Sequence, residues 1–295
     1  MFTVVFSLLA ALSYGTADFF GGIASRRMSP VLVSLFSHIA SFVAALGMTL
    51  FMTSHWSAEG SYFGAIAGAC EAVGFLLFYY VLSIGSIAVI APIVSVIYAI
   101  VPVAWAVALG DALPPLAWVG VALGFGAILA LSLGESSDDG HGDPIPSRET
   151  HSKMGVRKLS LLLAVIAGVT WGFATVALDY APSEAGATPA VAGAATSFVI
   201  VILIFVIGRK YINTTTAKAP VAQSLISGAL FGIANALILV ALLSGSLALV
   251  GLLTALYPLA TVLLARFVLK ERITPIQWVG IIAAVVAAIL MGTSH

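Results

Sequence analysis

Asp18, in Gly15-Thr16-Ala17-Asp18-Phe19-Phe20, and Glu71, in Ala69-Cys70-Glu71-Ala72-Val73, are acids set near the middle of long apolar runs, and His38, in Phe36-Ser37-His38-Ile39, is the only histidine inside one. If those runs cross a bilayer, a charge at that depth costs ~2.5–3.5 kcal/mol on insertion scales, which makes each residue a candidate for binding or proton transfer. Helix rise of ~1.5 Å per residue puts Asp18 ~22 Å, His38 ~19 Å and Glu71 ~16 Å from one face. At a common depth on three consecutive helices they are expected to form one proton-responsive cluster; the plain alternative is a static polar tie between the helices. Tyr14, Tyr98, Trp171, Tyr257 and Asn235 also fall at mid-depth. They offer the ring faces and hydrogen bonds of a small-molecule cavity, with core packing and an interhelical hydrogen bond as the alternatives. Pro92, Pro102 and Pro258 lie inside the fourth and ninth runs. Each removes a backbone hydrogen bond, so kinks suited to a gating helix are expected there.

The elements that position these residues follow from composition. Of 295 residues, 61% are hydrophobic and 8% charged, against about a quarter charged in a soluble domain. Too few charges remain to coat a water-facing surface, and disorder is excluded by the same numbers. The apolar residues come in blocks of about twenty, enough to span a bilayer. Spans are predicted near 3–23, 31–53, 61–81, 86–109 and 115–133, and near 159–179, 187–208, 222–242, 246–268 and 274–292. The chain thus reads as an all-α membrane protein of about ten transmembrane helices. A tight turn at Ser83-Ile84-Gly85-Ser86 divides the third span from the fourth, because one helix through both would be far too long for the bilayer. The first span has no basic residue before it and Arg26-Arg27 after it, so it is expected to be retained rather than cleaved as a signal peptide. The stretch 134–158, rich in Gly, Ser, Asp and Pro, reads as a linker. Its His141 and His151 lie near Asp138, Asp139 and Asp143 without a metal-binding spacing, so no metal and no cofactor is expected. The lone Cys70 excludes an internal disulfide.

The two halves resemble each other. Leu82-Ser83-Ile84-Gly85-Ser86-Ile87-Ala88 aligns with Leu242-Leu243-Ser244-Gly245-Ser246-Leu247-Ala248, and without a gap Trp118-Val119-Gly120 then falls on Trp278-Val279-Gly280. Nearer the starts, Ser13-Tyr14-Gly15 matches Thr170-Trp171-Gly172. This predicts a five-helix repeat at 1–133, a linker at 134–158 and a second repeat at 159–295. An odd helix number per repeat forces the two into opposite orientations. Charge agrees. Arg26, Arg27, Arg148, Lys153, Arg157, Lys158, Arg209, Lys210, Lys218, Arg266, Lys270 and Arg272 all fall on one face, leaving no Lys or Arg for the other. Basic residues collect in the cytoplasm, so the linker is expected inside and both termini in the periplasm or exterior.

On Ser13-Tyr14-Gly15-Thr16, Leu256-Tyr257-Pro258-Leu259, Lys270-Glu271-Arg272-Ile273-Thr274-Pro275 and Gln277-Trp278-Val279-Gly280, the chain resembles the drug/metabolite transporter superfamily, of the type with two tandem EamA domains. The resemblance covers nearly the whole chain and implies a ten-helix basket with a central cavity. It also implies export of amino acids, aromatic ones included, or of other small metabolites across the inner membrane. The expected function is therefore a secondary transporter working by alternating access, with a small-molecule substrate, lipid and possible protons as partners and no nucleic acid. With both repeats in one chain, a monomer is expected. No P-loop is present, so ATP would not drive it directly. The alternatives are a multidrug or lipophilic-cation exporter and a channel-like facilitator. An intramembrane enzyme is disfavoured because no HExxH occurs and His38 lies in the other half from Ser246.

Overall fold

The computed structural model describes residues 2–50, 55–84, 87–110, 115–133, 152–212, 217–268 and 274–293. Its helices are α1 (Phe2–Ser25), α2 (Pro30–Met48), α3 (Ala58–Ile84), α4 (Ile87–Ala108), α5 (Pro115–Leu133), α6 (Ser152–Asp179), α7 (Thr188–Gly208), α8 (Lys218–Leu242), α9 (Leu247–Thr254), α10 (Pro258–Val268) and α11 (Pro275–Thr293). Prolines open α2, α5, α10 and α11, where the missing N–H would have had no partner anyway. Among the described residues the helices make ten spans, because α9 and α10 share the ninth. The linker residues Asp138, Asp139, His141, Asp143 and His151, with Lys270, Glu271 and Arg272, lie outside the described residues.

Three departures from the expected spans stand out. The second span stops at Met48 instead of 53. Thr49 tightens the chain there, with both its N–H (3.1 Å) and its hydroxyl (2.7 Å) donating to Leu46 O. Helix α6 begins at Ser152, so Lys153, Arg157 and Lys158 ride on a helical extension, and the apolar part starts at Leu159. The ninth span, read as one helix over 246–268, is interrupted at Ala255–Tyr257. Pro258 has no N–H to continue the ladder and disfavours helical geometry at Tyr257. The chain bridges the gap with shorter-range bonds, Tyr257 N–H to Thr254 O (3.1 Å) and Leu259 N–H to Leu256 O (3.0 Å). The freed Ala255 carbonyl is taken by the Ser95 hydroxyl of α4. Helix α4, by contrast, runs without interruption through Pro92 and Pro102.

The packing follows a two-fold pattern between the halves. Helix α1 packs on α8 as α6 packs on α3; α2 packs on α8 as α7 packs on α3; α4 packs on α6 as α9 and α10 pack on α1. The pairs α2–α7, α4–α9 and α5–α11 cross the axis. Equivalent glycines set the closest approaches. A Cβ on Gly68 would run into Gly193 O of α7, and one on Gly228 into Ser37 O of α2. Small residues of this kind are how helices associate where lipid is as apolar as leucine.

Side-chain contacts identify the two ends of the bundle. Thr3 meets Ser244 (3.1 Å), Thr188 donates to His55 O (3.2 Å), and Trp105 Nε1 donates to the Tyr180 hydroxyl (3.2 Å). The starts of α1, α3 and α7 and the ends of α4, α6 and α8 therefore share one face, called here the terminal face. The opposite end, where α6 and α8 begin, is the linker face.

Candidate functional site

A cavity lies between α1, α3, α4, α6, α8 and the α9–α10 break. Helix α1 contributes Tyr14 and Asp18, one turn apart and so on one face. Helix α3 contributes Glu71; α4 contributes Tyr98; α6 contributes Trp171, Ala174, Thr175 and Leu178; α8 contributes Phe231 and Asn235; and Tyr257 enters from the break. The lining reaches from Asp18, deep in α1, to Leu178, one residue short of the end of α6 at the terminal face.

Its polar groups are organised around one amide. Asn235 Nδ2 donates to Glu71 Oε1 at 2.7 Å, and the Tyr14 hydroxyl donates to Asn235 Oδ1. This chain joins α1, α8 and α3. On the other wall, Thr175 Oγ1 donates to the Tyr98 hydroxyl (3.0 Å), while the Tyr257 hydroxyl donates to Ala91 O (3.1 Å). Two polar atoms are left over. Asp18 Oδ2 and Trp171 Nε1 are buried without a hydrogen-bond partner. A buried acceptor without a partner is expensive, and a bound donor reaching Asp18 would satisfy it, whereas Trp171 Nε1 lies against Gly74 of α3. Among the described residues no Lys or Arg lines the cavity, which presents two carboxyl groups and four aromatic residues besides Tyr14.

Toward the linker face the cavity is floored by aromatic rings. Phe231 lies 5.1 Å from Tyr14 and meets Phe75 edge-on at 4.2 Å; Phe75 also touches Trp171 (5.6 Å) and Tyr79 (5.0 Å). In the register of the repeat, Glu71 corresponds to Phe231 and Phe75 to Asn235. The polar Glu71–Asn235 pair and the aromatic Phe75–Phe231 pair are therefore the same contact in the two halves, one on each side of the axis.

Seven of the residues singled out from sequence meet in this cavity: Tyr14, Asp18, Glu71, Tyr98, Trp171, Asn235 and Tyr257. Asp18 and Glu71 line the same cavity but His38 does not, so the three do not form one cluster. Its ring sits behind Phe75 at 4.9 Å, with Nδ1–H donating to Ser34 O (2.7 Å). Helix rise gives depth but not direction around the axis, and α2 turns His38 away from the cavity. Of the three prolines, Pro258 stands at the break, and Pro102 packs over Gly251 of α9. Thr175 and Phe231 were not singled out. The internal alignment held the signal, since Thr175 follows Trp171 by one turn as Asp18 follows Tyr14, and Phe231 occupies the place of Glu71. Among the described residues, no group of three or more His, Cys, Asp or Glu is placed to hold a metal.

The profile of the EamA-like transporter family matches residues 1–133 and 158–293, nearly all of both halves. A solved protein structure described without a functional name superposes with a TM-score of 0.71 at 15% identity, covering 98% of this chain and 95% of its own. That likeness establishes the fold alone. A search of curated proteins returned no match.

Proposed function

The chain belongs to the EamA-like transporter family and is an integral, multi-pass membrane transporter of small molecules rather than an enzyme, and we propose that it is a secondary transporter exporting small metabolites that carry a cationic amine and an apolar or aromatic body, amino acids such as aromatic ones among them. The observation that carries this reading is the unpartnered, buried carboxyl oxygen of Asp18, a residue of the cavity lining, in a cavity walled by rings and, among the described residues, without a basic side chain. A carboxylate pairs with an ammonium, and ring faces attract both cations and apolar groups. Transport proceeds by alternating access between the two inverted repeats across the inner membrane. The linker lies in the cytoplasm, both termini lie outside and the protein works as a monomer. Protons at Glu71 or Asp18, or the substrate gradient alone, supply the energy.

A second reading is favoured by one feature. With two carboxyl groups and no cationic side chain, the lining suits a lipophilic cation better than the carboxylate end of a zwitterion. Uptake into inside-out vesicles tests both readings, using labelled amino acids and lipophilic amines with and without a pH gradient. Saturable uptake of aromatic amino acids supports the first, and uptake of amines alone supports the second. Uptake of neither class, with protein correctly inserted, would reject both.

A further inference from the structure

We propose that Tyr79, Ser227 and the backbone of Ala17 form a latch that holds the linker-face gate shut, so that the unliganded transporter rests with its cavity open to the terminal face. The inference rests on the alternating-access reading above. The Ser227 hydroxyl has a single proton, which it donates to Ala17 O at 2.7 Å; the Tyr79 hydroxyl then donates to Ser227 Oγ at 2.8 Å. All three residues are buried at no more than 1% exposure. The chain ties α3 to α8 and α1, just to the linker side of the Phe75–Phe231 contact. Gly21 makes it possible. A Cβ there would lie 2.5 Å from Tyr79 Cε1 and would block the hydroxyl as well, so only glycine leaves α1 close enough.

The inverted repeat supplies a comparison within the molecule. If the two halves exchange conformations during transport, each gate contact has a counterpart on the opposite face. The counterparts of Tyr79, Ser227, Ala17 and Gly21 are Leu239, Ala67, Ala174 and Leu178. None of these side chains can hydrogen-bond, and Leu178 fills the space that Gly21 leaves open. Ala67, Ala174 and Leu178 belong instead to an apolar cluster toward the terminal face, where Ala174 and Leu178 line the cavity. Of these two equivalent contacts, only the one on the linker side carries a side-chain hydrogen bond. An interaction present in one end state and absent from the other sets their ratio.

The test reads accessibility rather than transport. Thr175→Cys, in a Cys70→Ser background, reports on the cavity through its reaction rate with a membrane-impermeant thiol reagent applied to each face in vesicles of either orientation. With the latch intact, reaction is expected from the terminal face. Tyr79→Phe, which keeps the ring and removes the hydroxyl, is expected to raise the linker-face rate about fivefold, the equilibrium worth of roughly one buried hydrogen bond. Ser227→Ala is a second route to the same opening should the tyrosine variant fold poorly, and the double variant should react no faster than Ser227→Ala. Linker-face rates that stay within about twofold of the parent in both single variants, with terminal-face reaction normal, overturn the latch and leave the transport reading standing. Reaction of the parent from the linker face alone overturns the latch together with the direction in which the cavity opens.

Discussion

Asn235 joins three helices through one side chain, so its removal should be felt as stability before transport is considered. In Asn235→Ala, Glu71 Oε1 loses the donor at 2.7 Å and the Tyr14 hydroxyl loses its acceptor. Interhelical hydrogen bonds in membrane proteins are worth ~0.6 kcal/mol on average and up to ~1.7 kcal/mol. A bond to a buried carboxyl group belongs near the top of that range, so losing both should destabilise the fold by ~2 kcal/mol. For a chain of this size that is a fall in melting temperature of about 5 °C. The assay is thermal unfolding of the purified protein in detergent, alongside Tyr14→Phe, which removes one bond and should fall by about 2 °C. In the Asn235→Ala background, Tyr14→Phe should have no further effect, because its acceptor is already gone. Fully additive losses, or an Asn235→Ala protein as stable as the parent, would refute the three-helix tie.

Gly228→Ala pushes a Cβ into the Ser37 carbonyl and should destabilise by ~1–3 kcal/mol, whereas Gly126→Ala, with nothing within 4 Å, should be neutral in the same melt. Glu71→Gln keeps a partner for Asn235 but cannot titrate. It should still exchange substrate across the membrane while losing accumulation driven by a pH gradient, and wild-type accumulation would move the proton role to Asp18. Single cysteines at Ser57 and His295 should react with an impermeant maleimide in intact cells and one at Ser137 should not, in a Cys70→Ser background. The reverse pattern would invert the topology.

Much of the fold could be read because bilayer thickness turns hydrophobic length directly into element length. The internal match of Trp118-Val119-Gly120 with Trp278-Val279-Gly280 carried the duplication. What escaped were features set by contacts across helices. Pro102 and Pro258 are the same residue type in related spans, yet α4 continues through one and the ninth span breaks at the other. The break is held by the Ser95 hydroxyl on Ala255 O, a partner from another helix. Asp18 and Glu71 could be found as misplaced charges, but that they share a cavity while His38 sits behind Phe75 depends on helix rotation, which hydropathy does not encode. Thr175 and Phe231 have no unusual chemistry of their own; only their places opposite Asp18 and Glu71 in the repeat distinguish them.

The central claim is that Asp18 receives a substrate's amine. Equilibrium binding of phenylalanine, its methyl ester and its N-acetyl derivative to the purified protein tests this directly, with Asp18→Asn as the comparison. The two ligands with a cationic amine should bind, the N-acetyl derivative should not, and Asp18→Asn should weaken the first two by at least about tenfold, as loss of a desolvated charge pair requires. Equal binding of the N-acetyl derivative, or unchanged affinities in Asp18→Asn, would contradict it.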